Sequence, residues 1–164
     1  MEIYQIALIL ATFLCSLVSG FLFTFALVVM PGIKSLNDRE FLRAFQVMDR
    51  VIQNNHPLFI LVWLGSVVAL LTSVVLGVGQ LDGAGLLHII FAAITYLFGV
   101  QLPTITINIP LNNKLQTMDV DIMNETTQKA ARNDFEPRWN RWNLIRTSFA
   151  SLAATLLIIL LFRI

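Results

Sequence analysis

The sequence predicts an all-α integral membrane protein: a four-helix bundle of spans, with an amphipathic interfacial helix between the first span and the second. Three observations carry this. Of the 164 residues, 57% are hydrophobic and only 13% are charged, with a mean hydropathy of +0.76. A soluble domain is about half apolar and about a quarter charged, so this excess must face lipid. Four apolar runs, at about 4–30, 57–79, 86–109 and 142–162, stand out; each is near or above the ~20 residues that cross a ~30 Å hydrocarbon core. Lys and Arg gather in two of the connecting segments and avoid the third. The length suits one transmembrane domain over residues 1–164.

The first run is too long for the ~7–15-residue core of a signal peptide. It follows Glu2 rather than a basic residue and is read as a retained span. Its single cysteine, Cys15, has no partner for an intramolecular disulfide. Thr12, Ser16, Gly20 and Thr24 recur every four residues, as do Gly65, Ala69, Ser73 and Gly77 in the second run. Small residues at this spacing let helices approach closely in lipid.

The segment after the first span carries Lys34, Arg39, Arg43 and Arg50, and the one after the third carries Lys114, Lys129, Arg132 and Arg138. The link from Gly79 to Gly85 has no basic residue. The positive-inside rule places both basic segments in the cytoplasm and both termini outside, against the single opposing charge of Arg163. The plasma (inner) membrane is the expected location and lipid the expected surrounding partner. Within the first basic segment, Asn37 or Asp38 can cap a helix. Phe41, Phe45, Met48 and Ile52 then form one apolar stripe, predicting a surface helix over about 38–53. Asn55 can cap the second span, with Pro57 near its first helical position. The stretch from Asn112 to Arg138 is polar and predicted to be helical in part. Trp63, Trp139 and Trp142 lie at the cytoplasmic boundary, where Trp commonly anchors a helix.

Polar side chains at membrane depth are costly, and two faces carry them. Gln101, Thr104, Asn108 and Asn112 share one face of the third span; Trp139, Asn143, Arg146 and Ala150 share one face of the fourth. Pro103 and Pro110 each remove a backbone donor, freeing the carbonyls of Gly99 and Thr106. Two readings stand. Arg146 can snorkel to the interface while the Asn residues cap helix ends. Alternatively, the two faces meet around a small cavity with amide donors, an aromatic wall and one fixed positive charge, suited to a planar, partly anionic ligand. In that arrangement Arg146 donates to Asn side chains or to the freed carbonyls of the third span.

Several chemistries are disfavoured. No Asp or Glu lies within any span, which argues against a carboxylate proton relay or a di-iron site. His56 and His88 begin spans at opposite faces and cannot share a metal, so no metal or other cofactor is assigned. Acidic residues interleave with the basic ones, which disfavours nucleic acid as a partner.

Met30-Pro31-Gly32, Asn54-Asn55-His56-Pro57, the Asn-Ile-Pro-Leu-Asn-Asn stretch from Asn108 to Asn113, and the Trp-Asn-Arg-Trp-Asn-Leu-Ile-Arg stretch from Trp139 to Arg146 occur in this order across nearly the whole chain. In these stretches the sequence resembles the family of small bacterial and fungal membrane proteins of unknown function that includes the anthrone oxygenases. The resemblance implies a four-span bundle and, for the fungal members, oxidation of an anthrone by molecular oxygen to an anthraquinone. A deprotonated anthrone can react with oxygen itself, leaving the protein to bind, orient and stabilise the anion. The expectation is therefore an oxygenase-like membrane protein acting on a small apolar aromatic. Asn108, Asn112, Thr104, Gln101 and Trp139 would bind the substrate. Asn143 would be a second donor, Arg146 the anion stabiliser, and His56 the near-neutral base. The rival is a non-catalytic scaffold, partner subunit or lipid-binding module. A closed pocket lined by these residues favours the first; the same side chains pointing to headgroups or to a partner favour the second.

Overall fold

A computed structural model describes residues 2–163 as five helices, with no strand among them. They are α1 (Ile3–Ile33), α2 (Asp38–Gln53), α3 (Pro57–Gly77), α4 (Gly83–Gln116) and α5 (Glu125–Leu161). All but α2 are long and apolar enough to cross a membrane. α1 packs against α3 and α5, and α4 packs against α5. Leu8, Ala11, Cys15, Leu70, Ile89, Tyr96, Ala150 and Leu157 form the core between them. Hydroxyl and imidazole groups cross-link the same region: Ser66 Oγ lies 2.7 Å from Tyr96 Oη, Ser19 Oγ lies 3.1 Å from Ser151 Oγ, and His88 Nε2 lies 2.8 Å from the carbonyl of Leu156. Such bonds hold helices together where lipid supplies no hydrophobic drive.

The small-residue stripes divide. On α3 the stripe faces α1: a methyl added at Gly65 would lie 3.2 Å from Leu14, and one at Gly77 3.4 Å from Tyr4. On α1 the stripe is buried only at its start: Thr12 is buried and Ser16 half-buried, but Gly20 and Thr24 are exposed. Ala11, Cys15, Val18 and Leu22 are buried in their place.

Three of the five prolines act alike. Wide, π-helical turns at Phe25–Val29, Leu97–Gln101 and Thr104–Asn108 each end two residues before a proline: Pro31, Pro103 and Pro110. A proline ring collides with the carbonyl four residues back and offers it no N–H. Widening the preceding turn relieves both problems without breaking the helix. Two such turns in succession re-aim the polar face of α4.

The helices outrun the apolar segments. α5 begins at Glu125, far ahead of the apolar run, because Asn124 accepts a hydrogen bond from the Thr127 N–H (2.9 Å) and Glu125 occupies the first turn. Its 37 residues span about 55 Å, well beyond a ~30 Å core. α4 likewise continues to Gln116. These extensions carry polar and charged residues, which hydropathy alone does not register as helix. They support α2, whose cap is Asn37, accepting from the Glu40 N–H at 2.9 Å. Phe41, Leu42 and Phe45 bury against Leu111, Leu115, Phe135 and Trp139. The apolar stripe of α2 thus closes on protein through its first half. Asn55 does not cap α3. It takes a left-handed conformation (φ 56°) that ends α2, and His56 occupies the cap position before Pro57.

Interleaved charges fasten this end of the bundle. Asp121 accepts from Arg39 (2.9 Å) and Arg43 (2.6 Å), and the Arg39 hydrogen bond foremost holds its carboxyl below the usual carboxylate range. Arg132 ties Asp38 (3.1 Å) to Glu136 (2.7 Å) and donates to the carbonyls of Lys34 and Leu36.

Candidate functional site

Between the wide turns of α4 and the polar half of α5 lies a cavity of about 150 Å³. Every helix contributes to its wall. Phe21, Leu22 and Phe25 come from α1; Phe45, Asp49 and Ile52 from α2; Phe59 and Trp63 from α3. Thr104, Asn108, Ile109 and Asn112 come from α4, and Trp139, Asn143 and Arg146 from α5. The wall is mainly aromatic: Phe59 stacks on Trp63 with ring centres 5.3 Å apart, and Phe45 meets Trp139 edge-on at 5.2 Å. Ile109 is 44% exposed, and Ile52 and Phe59 are half-buried, so the rim is apolar.

Arg146 is the dominant charge. Only 4% of it is exposed. Nη1 donates to Thr104 Oγ1 at 3.0 Å and Nη2 to Asn143 Oδ1 at 2.9 Å, while Nε has no partner. The guanidinium carbon lies 5.8 Å from the centre of the Trp139 ring. Both hydrogen-bond partners are neutral, and no acidic side chain among the described residues pairs with it. A buried charge without a counter-ion costs several kcal/mol. Such an arrangement is poised to receive an anion.

Asn108 repeats the pattern. It is 2% exposed, and neither its amide nitrogen nor its oxygen has a partner. An orphaned buried polar group costs about 1–3 kcal/mol. Facing the cavity, it offers both a donor and an acceptor to whatever enters. Asn143 is held in place by donating to the Leu22 carbonyl (3.3 Å), just ahead of the wide turn of α1.

A second hydrogen-bonded chain lines the same cavity. Trp139 Nε1 donates to Asn112 Oδ1 (2.8 Å), and Asn112 Nδ2 donates to Asp49 Oδ1 (2.8 Å). Asp49 Oδ2 accepts from Gln53 (3.0 Å) and Gln116 (2.9 Å).

Of the residues singled out from sequence, Arg146, Asn143, Asn108, Asn112, Thr104 and Trp139 line this one space. Gln101 stands behind it, accepting from Trp63 Nε1 at 2.9 Å. His56 does not reach it: the residue is exposed at the start of α3, where its backbone begins the helix. Two residues were missed. Trp63, read as an interfacial anchor, also lines the cavity, two turns into α3. Asp49 lies outside every span yet enters the cavity from α2. The available signal was its register: Phe45, Asp49 and Ile52 fall at i, i+4 and i+7, an acid set within an apolar stripe. Among the described residues, no group of three or more His, Cys, Asp or Glu could hold a metal ion.

A family model described as anthrone oxygenase matches residues 45–156. The match contains every polar side chain of the cavity, and leaves out Phe21, Leu22 and Phe25. No curated protein and no solved structure matches the chain.

Proposed function

The chain belongs to the anthrone oxygenase family, and from that premise we propose that it is a membrane-embedded oxygenase acting on the enolate of a small planar aromatic ketone. The observation that carries this is Arg146: a guanidinium 4% exposed, with no acidic partner among the described residues and a free Nε, beside the unpartnered amide of Asn108. An aromatic slot with one buried positive charge favours a flat ligand that becomes an anion. For an anthrone-type ketone, losing one proton from the ring CH2 makes an aromatic enolate. Its oxygen would rest against Arg146, with Asn108 as a second donor. Dioxygen then takes electrons from the ring carbon. One oxygen atom becomes the new carbonyl; the other leaves as water with the two hydrogens of the CH2. Excluding bulk water from the slot favours this course over other fates of the anion.

Size narrows the substrate. An engineered cavity of comparable volume holds one benzene ring. The middle, reacting ring of a fused three-ring ketone sits inside, and its flanking rings extend toward the apolar rim of Ile52, Phe59 and Ile109. Oxygen uptake by the protein in lipid nanodiscs, with anthrone as the probe, tests the reading. We expect one dioxygen consumed per anthraquinone formed, faster than in empty nanodiscs. Equal rates with and without protein would overturn it.

The basic residues flanking the spans gather at the end of the bundle that holds the cavity, with Arg163 at the other. This supports a cytoplasmic cavity end and termini outside the plasma membrane. A C-terminal reporter that works only in the cytoplasm should be silent; activity would reverse the orientation.

A further inference from the structure

The one acidic side chain of the cavity is supplied by α2. Asp49 is 4% exposed and accepts three hydrogen bonds, all from neutral amides: Asn112 on Oδ1, and Gln53 and Gln116 on Oδ2. Among the described residues no cation pairs with it. A carboxylate offers about four lone-pair sites, so one remains, on Oδ1. Arg146 lines the same cavity and also lacks an ionic partner. Two buried, opposite charges therefore share a small space without pairing. Each is held by neutral groups of its own, Asp49 by the amides and Arg146 by Thr104 and Asn143. The space between them is where a ligand fits.

We propose that Asp49 is the catalytic base that removes the ring CH2 proton of the substrate, with the ketone oxygen turned toward Arg146. This deepens the oxygenase reading and rests on it. In the step, the C–H bond breaks and its electron pair moves through the ring onto the ketone oxygen. The proton forms an O–H bond on Asp49 Oδ1. The cavity keeps its total charge: the negative charge leaves the carboxylate and appears on the substrate, against the guanidinium. In a water-poor site, moving opposite charges closer together is favourable. The substrate type that the family suggests fits this arrangement. It is a carbon acid whose acidic CH2 and ketone lie at opposite edges of one flat aromatic molecule, as in an anthrone, so that one group meets Asp49 while the other meets Arg146.

The test uses the full-length protein in lipid nanodiscs and anthrone under anaerobic conditions, where oxidation cannot follow. Exchange of the CH2 hydrogens with D2O is read by NMR. Wild type should accelerate exchange, and Asp49→Asn should lower the protein-dependent rate by about 100- to 10,000-fold. Anthraquinone, which has no acidic C–H, should still quench tryptophan fluorescence with an affinity within about threefold of wild type (roughly 0.6 kcal/mol). Asp49→Glu, which keeps the base, should recover exchange to well above the Asn variant. Exchange at the wild-type rate in Asp49→Asn would overturn the assignment, as would a Glu variant no better than Asn. Anthraquinone binding lost in parallel with exchange would make Asp49 structural and overturn it equally. If wild type neither exchanges anthrone nor consumes oxygen with it, the oxygenase reading itself fails. If wild type does both and Asp49→Asn matches it, only the role of Asp49 fails.

Discussion

Arg146→Met should leave the ligand-free protein as stable as wild type, or more so, while lowering turnover about 100- to 1,000-fold, the cost of removing one well-placed oxyanion donor. The two effects have opposite signs because the guanidinium is buried and no acidic side chain among the described residues forms an ion pair with it. Removing it strips the hydrogen bond from Asn143 Oδ1, a loss of about 1–3 kcal/mol. Thr104 loses little, since its hydroxyl also donates to the Val100 carbonyl (2.7 Å). Against this, an uncompensated buried charge is no longer desolvated, a gain of several kcal/mol. Thermal melting and oxygen uptake in the same nanodiscs check both halves. Arg146→Lys keeps the charge but not the planar fork, and should fall between the two. Arg163→Met, exposed at the far end, should change neither quantity. A variant at Arg146 that melts far below wild type yet turns over normally would show that the guanidinium serves the fold and not the reaction.

The largest effect on stability is expected at Gly99, within the first wide turn of α4. A Cβ there would overlap both the Cβ and the ring of Phe149, with Cδ1 at 2.7 Å. The ring can rotate away; the Phe149 Cβ cannot, being fixed to the α5 backbone. Gly99→Ala therefore forces α4 and α5 apart. Overpacking of this kind costs about 1–3 kcal/mol, or roughly 2–12 °C in melting temperature for a chain of this length. Activity should fall as well, because the same separation draws Thr104 on α4 away from Arg146 on α5. Adding Phe149→Ala removes the ring but leaves the Cβ, so recovery should be partial. Gly20→Ala is the control: nothing lies within 4 Å of the added methyl, and it should be neutral or slightly stabilising. Unchanged melting in Gly99→Ala would mean that the two helices do not meet at this position.

Much of the cavity was legible because lipid makes polar residues expensive. Asn108, Asn143 and Arg146 stand out in apolar runs, Asn112 follows one turn after Asn108, and a regular helical period puts each pair on one face. The wide turns ahead of Pro31, Pro103 and Pro110 were not legible as such. A proline signals that the helix must yield, but it can yield by kinking, ending or widening, and neighbouring helices select which. His56 and Asp49 show the same limit from opposite directions. His56 adjoins a span in sequence yet points out of the site, whereas Asp49 belongs to no span and points in.

The number of long apolar helices, the capped helix over 38–53 and the polar faces of α4 and α5 depend on composition and local period. Those properties are carried by neighbouring residues along the chain, and they survive any arrangement of the bundle. What shares the cavity depends on contacts between residues far apart in sequence. Asp49 meets Asn112 because α2 folds down onto the extensions of α4 and α5. Arg146 meets Thr104 because α4 and α5 lie side by side, with wide turns just before Thr104 and beginning at it, and because Gly99 lets α5 come close enough for a 3.0 Å bond. A rotation of one helix by a fraction of a turn would leave every local pattern intact and empty the site of its charges.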